Sequence, residues 1–136
     1  MNEKKKILVV DDDKKIVAAL TIRLEAAGYE VLTALNGLEG LKLAVSFRPN
    51  LVIMDIWLPE QVGILVAERF KHFGLADIPI IFITASKQKD VWQFVEEVGA
   101  AGFFEKPYDP EKLLAAVANA LEAKHPPAGQ LRRNQS

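Results

Sequence analysis

The sequence predicts an α/β domain built on a five-stranded parallel sheet with helices on both faces. Three observations lead there. Short apolar runs such as Ile7 to Val10, Leu51 to Met54 and Ile80 to Ile83 carry no polar alternation, which is the mark of strands covered on both faces. Between them, apolar residues recur at the three, four and seven spacing of amphipathic helices. The two patterns alternate strictly, five times over, and such βα repeats form a parallel sheet through right-handed crossovers.

In order, Ile7-Leu8-Val9-Val10 is the first strand. Ile16, Val17, Leu20, Leu24 and Ala27 define a first helix that ends at Gly28. Residues 30–34 make a second strand, and Leu38, Leu41, Ala44 and Val45 mark a second helix. Arg48-Pro49-Asn50 breaks the chain before the third strand, Leu51-Val52-Ile53-Met54. Residues 63–73 form a third helix with Leu65, Val66 and Phe70 as its core face. The fourth strand covers residues 78–83, with Pro79 at its start, where a missing N–H costs least. Val91, Val95 and Val98 space a fourth helix closed by Gly99, and Phe103-Phe104 is a short fifth strand. Asp109 and Pro110, an N-cap and an N1 proline, open the last helix, which carries Leu113, Leu114, Val117 and Leu121. From Lys124 the periodicity stops, so residues 1–123 read as one domain and 124–136 as a flexible tail or the start of a linker.

The composition excludes several function classes. Among 136 residues there is no cysteine, so disulfide scaffolds, cysteine zinc sites and thiol nucleophiles are out. Seventeen basic residues against eighteen acidic ones give a net charge of -1, with no general reason for direct binding to nucleic acid or an anionic membrane. The apolar run behind the basic first residues is too short for a signal peptide, and no segment approaches a membrane span. The expectation is a soluble cytoplasmic domain. His72 and His125 are lone histidines without metal-ligand company.

Ligands of open parallel sheets bind outside the carboxyl ends of the strands, where strand order reverses. The first strand ends in Asp11-Asp12-Asp13, the third in Asp55, the fourth in Thr84-Ala85-Ser86 and the fifth in Lys106-Pro107. Clustered carboxylates repel one another, and a hard divalent cation with oxygen ligands relieves that repulsion. A carboxylate also serves as a nucleophile toward phosphorus. A threonine hydroxyl donates to a phosphoryl oxygen, and a lysine neutralises its charge. Together these groups form a phosphoryl-transfer site. Each also has a plainer reading: the aspartates after the first strand as helix caps (Asp13 above all), Asp55 as a turn former, Thr84 as a β-branched strand residue and Lys106 as a solvated strand-end lysine.

Four segments carry a resemblance to the receiver domains of two-component response regulators. They are Ile7 to Asp13, Leu51 to Pro59, Ile80 to Ala85 and Phe103 to Tyr108, in this order and over about residues 5–123. The resemblance implies a flavodoxin-like (βα)5 sandwich with strand order 2-1-3-4-5. It implies that Asp55 accepts a phosphoryl group from the phosphohistidine of a sensor histidine kinase or phosphotransfer protein. Asp11, Asp12, Asp55 and the backbone carbonyl of Trp57 would hold Mg²⁺ or Mn²⁺, Thr84 and Lys106 would follow the phosphoryl group, and the Lys106–Pro107 bond would be cis. Such a domain is no enzyme in the ordinary sense. It catalyses only its own phosphotransfer and autodephosphorylation, and it switches an output domain or protein partner, commonly through the face of helix four, strand five and helix five. Homodimerisation is left open.

The chain departs from the family pattern at three places. Phe103 stands where a tyrosine is common as the switch residue coupled to Thr84. Val62 replaces an acidic or small polar residue before Gly63, and Trp57 is bulky for a position two after the phosphoacceptor. Shielding of the acyl phosphate from water by Trp57 is expected. Trp92 and Phe94 are expected as half-buried packing of helix four, on the face where partners dock. The alternative is a receiver-like docking module that works without phosphate. A metal-dependent phosphatase with Asp11 as nucleophile is a weaker competitor, since Lys14 and Lys15 follow where that family has glycine and threonine.

Overall fold

A computed structural model of the chain describes residues 3–59, 61–85 and 89–123. Among the described residues, seven strands and five helices follow in order: β1 (Lys6–Val10), α1 (Lys14–Ala26), β2 (Glu30–Ala34), α2 (Gly37–Phe47), β3 (Leu51–Asp55), β4 (Trp57–Leu58), β5 (Gln61–Val62), α3 (Gly63–His72), β6 (Ile80–Thr84), α4 (Lys89–Glu97), β7 (Gly102–Glu105) and α5 (Pro110–Glu122). The five main strands are parallel, in the order β2-β1-β3-β6-β7. Counted as the five long strands, this is the expected order 2-1-3-4-5. The two-residue strands β4 and β5 form a small antiparallel hairpin between β3 and α3, pairing Trp57 with Val62 and Leu58 with Gln61.

The unalternating strands divide their side chains between two cores, because successive residues of a strand point to opposite faces. Leu8, Val10, Val52, Met54, Phe82 and Phe103 pack with α2, α3 and α4. Ile7, Val9, Ile53, Ile83 and Phe104 pack with α1 and α5. Phe103 and Phe104, adjacent in sequence, thus anchor different layers. Each fully buried large aliphatic side chain contributes about 1.5–3 kcal/mol. That pins the strand registers, since a slip of one residue would exchange the two cores.

The helix ends follow the chemistry of their caps. Asp13 accepts from the N–H groups of Lys15 and Ile16, Asn36 from Glu39, and Asp109 from Glu111, with Pro110 at the start of α5. Arg48, in the left-handed region at φ 49°, closes α2. Several residues of the apolar helix spacing are exposed. Leu38 and Val45 of α2 lie on the outer flank of a helix whose inner face is Gly37, Gly40, Leu41 and Ala44. Leu65 is 59% exposed because α3 turns Val66, Ala67 and Phe70 inward. Ala27 is also exposed, since α1 ends one residue before it. The fourth main strand starts at Ile80; Pro79 has no N–H for the ladder, but its carbonyl accepts from Val52 N–H at 3.0 Å. Phe94 is exposed rather than half-buried. The side chain of Trp92, His125 and the rest of residues 124–136 lie outside the described residues.

Candidate functional site

The sheet brings the expected residues to one edge. Asp11 follows the last residue of β1, Asp55 ends β3, Thr84 ends β6 and Lys106 follows β7. Backbone hydrogen bonds extend the ladders across these ends: Asp11 N–H donates to Ala34 O at 3.1 Å, Ile56 N–H to Ile83 O at 3.1 Å, and Lys106 N–H to Thr84 O at 2.7 Å. The polar residues are therefore held by the rigid sheet. The chain leaves β1 toward β2 on one side and returns to β3 on the other. The acids accordingly sit at the reversal point where α/β sheets bind ligands.

Lys106 ties the site together. Its ammonium donates to Asp55 Oδ2 at 2.8 Å and to Asp11 Oδ2 at 3.0 Å. The remaining carboxylate oxygens accept from backbone: Asp11 Oδ1 from Asp13 N–H at 2.9 Å, and Asp55 Oδ1 from Trp57 N–H at 3.0 Å. Asp11, Asp55 and Thr84 are the buried polar residues among those described, whereas Asp12 is exposed. Carboxylate oxygens of Asp11, Asp12 and Asp55 lie within 4.8 Å of one another. Burial raises the Asp11 carboxyl above its ordinary range, and the neighbouring Asp55 charge adds to this, against the pull of the Asp13 N–H and Lys106. Burial alone would lower the Lys106 ammonium, but its hydrogen bonds and charge interactions with Asp55 and Asp11 outweigh it and raise it overall. Burial likewise raises Tyr108, whose ring packs edge-on against Phe104.

Among the described residues, three carboxylates against one ammonium leave negative charge in excess. An all-oxygen donor set with one exposed member suits a hard divalent cation that keeps several waters. The buried acids, the lysine between them and the buried Thr84 are the kinds of group that can bind an anionic group together with such a cation.

The match to known proteins agrees. The response regulator receiver domain model matches residues 7–118. The chain belongs to that family. This receiver domain is 40% identical over 118 residues to the DNA-binding dual master transcriptional regulator RpaA of Synechocystis sp., covering 85% of this chain and 48% of that protein. It is 36% identical over 124 residues to sporulation initiation phosphotransferase F of Bacillus subtilis, covering 91% of this chain and 98% of that protein. The crystal structure of a CheY-like receiver domain protein from Methanospirillum hungatei superposes with a TM-score of 0.83 at 31% identity, covering 88% of this chain and 95% of that one. The chain spans about half the length of the curated transcriptional regulators it matches. Among the described residues, no helix is long and apolar enough to cross a membrane.

All five expected side chains of the site, Asp11, Asp12, Asp55, Thr84 and Lys106, lie at the carboxyl edge of the sheet. Phe103 does not reach that edge; it is buried in the core between the sheet and α2–α4. The Lys106–Pro107 peptide is cis. Asp13 is a helix cap, as its plainer reading had it, and it also aims its own N–H at Asp11. Sequence reasoning missed three features: the second partner of Lys106, the Trp57 N–H on Asp55, and the close backbone approach at Gly63. Of these, only the glycine left a signal in the sequence.

Proposed function

We propose that this receiver domain takes a phosphoryl group onto Asp55 from the phosphohistidine of a sensor histidine kinase or phosphotransfer protein, and passes the change to a downstream output domain or protein. The observation that carries the reading is the Lys106 ammonium bridging the buried carboxylates of Asp11 and Asp55 at the sheet's reversal point, with Asp12 beside them. A carboxylate oxygen of Asp55 attacks phosphorus, the P–N bond breaks, and its electron pair stays on the imidazole nitrogen. Asp55 is aimed before the reaction, because one oxygen is held by Trp57 N–H and the other by Lys106. As negative charge moves out onto the phosphoryl oxygens, Lys106 follows it, and the Thr84 hydroxyl donates to one of them. Asp11, Asp12 and Asp55 with the Trp57 carbonyl would hold a Mg²⁺ or Mn²⁺ ion, which would supply the remaining charge neutralisation.

Autodephosphorylation is attack of water on the same phosphorus, which returns the Asp55 carboxylate and releases phosphate. Movement of Thr84 toward the phosphoryl group couples to Phe103, a ring without a hydroxyl whose place is inside the core. The exposed Phe94 on α4 supports a docking role for the α4–β7–α5 face. The domain works in the cytoplasm, and residues 1–123 form the receiver. Intact mass after incubation with acetyl phosphate tests the reading. A single phosphoryl adduct is expected that requires a divalent cation and disappears in Asp55→Asn. An adduct retained in Asp55→Asn overturns it.

A further inference from the structure

Gly63, the first residue of α3, meets the backbone of the proposed phosphoacceptor. Its φ lies outside the left-handed region that favours glycine, so the demand at this position is for space. A Cβ there would stand 3.1 Å from Ile56 Cα and 3.2 Å from the Asp55 carbonyl carbon, and it would press hardest on the Asp55 carbonyl oxygen. Gly63 N–H also donates to Ile56 O at 2.6 Å. Neither side has room to give. The Asp55-Ile56 segment is tied to β6 through Ile56 N–H and Ile83 O, and α3 is held by the buried Val66, Ala67 and Phe70. Gly40 offers a contrast within the same domain. A Cβ on it would meet the Val10 methyl carbons at 2.9 and 3.2 Å, which are side-chain atoms rather than backbone.

We propose that Gly63 is a positioning residue for the Asp55 carboxylate. By letting the start of α3 and the β4–β5 hairpin close onto the Asp55-Ile56 backbone, it sets the direction in which the carboxylate leaves the sheet. One oxygen then meets Trp57 N–H and the other meets Lys106 Nζ. A methyl group at position 63 tilts the Asp55 peptide and breaks this two-sided grip. The inference rests on Asp55 being the phosphoacceptor.

The test compares Gly63→Ala with Gly40→Ala, a substitution of an equally buried helical glycine that touches no backbone of Asp55. Phosphorylation by acetyl phosphate and Mg²⁺ is timed per folded molecule, and the backbone amide resonance of Trp57 is followed by NMR without any phosphodonor. Trimethylamine N-oxide is included to keep destabilised variants folded. Gly63→Ala is expected to react about tenfold more slowly or worse, since a misplacement of about 1 Å costs up to about 10²-fold. Its Trp57 amide resonance should move away from the hydrogen-bonded position, while Gly40→Ala keeps that resonance and a rate within about twofold of the parent. A Trp57 resonance unmoved in Gly63→Ala, an equal slowing in Gly40→Ala, or a Gly63→Ala chain that stays unfolded in the osmolyte overturns the assignment. Absence of any adduct on the parent protein would retire the phosphoacceptor reading instead, and the amide measurement would still decide the geometry.

Discussion

Replacing Lys106 by methionine removes the one ammonium seen between two buried acids while keeping most of the side-chain volume. Its two hydrogen bonds run to groups of 0% and 7% side-chain exposure, and Lys106 itself is only 16% exposed. Charge-assisted bonds of this kind contribute about 1.5–3 kcal/mol each. Stranding one partner of a buried pair costs about 3–5 kcal/mol. In metal-free buffer near neutral pH, Lys106→Met is therefore expected to lose about 3 kcal/mol in urea unfolding, roughly a 10–15 °C fall in Tm. Millimolar Mg²⁺, if held by the folded state as proposed, would replace the missing charge, so the variant should recover at least half of its deficit. Its phosphorylation rate should remain about 10²-fold lower, the usual cost of removing one preorganised cation or donor. A stability loss below about 1 kcal/mol, or one that Mg²⁺ leaves unchanged, would refute the reasoning that Lys106 neutralises a strained acidic cluster.

Three further outcomes follow from the same geometry. The folded chain holds the Asp11 proton to higher pH than the unfolded chain, whose value is the ordinary 3.8; that contribution to metal-free stability falls as pH rises above 3.8 and is absent in Asp11→Asn, so urea titrations across this window should slope less steeply downward in the variant. Asp13→Ala removes the acceptor for Lys15 and Ile16 N–H and should cost about 1 kcal/mol, with phosphorylation per folded molecule unchanged, because its bond to Asp11 comes from the backbone. Trp57→Ala should shorten the life of the phosphorylated form severalfold, followed as decay of the adduct mass after removal of the donor; an equal or longer lifetime would show that the exposed indole does not keep water away.

The fold was legible because the strands inside the sheet, such as β1 and β3, are buried on both faces. Ile7 to Val10 and Leu51 to Met54 have no alternation to confuse, and caps such as Asp109-Pro110 mark the helix starts by local chemistry. Leu65 was misplaced because helices in this fold are covered on one flank only, and apolar spacing does not say which flank. The β4–β5 hairpin was invisible, since two residues per strand carry no period. At the site, residue types and strand ends were enough to name Asp11, Asp12, Asp55, Thr84 and Lys106. The pairing of Lys106 with Asp11, 95 residues away, depends on the register of β7 beside β6, which a single sequence does not encode locally. The requirement at Gly63 is equally non-local, because it arises from the packing of α3 onto the end of β3.

The most direct test of the central claim is chemical trapping of the phosphorylated residue. After reaction with acetyl phosphate and Mg²⁺, borohydride reduces an aspartyl phosphate to homoserine, and peptide sequencing by mass spectrometry locates it. The account predicts homoserine at position 55 alone. Homoserine at position 11 or 12, or none at any position in a sample whose intact mass shows the adduct, would contradict it.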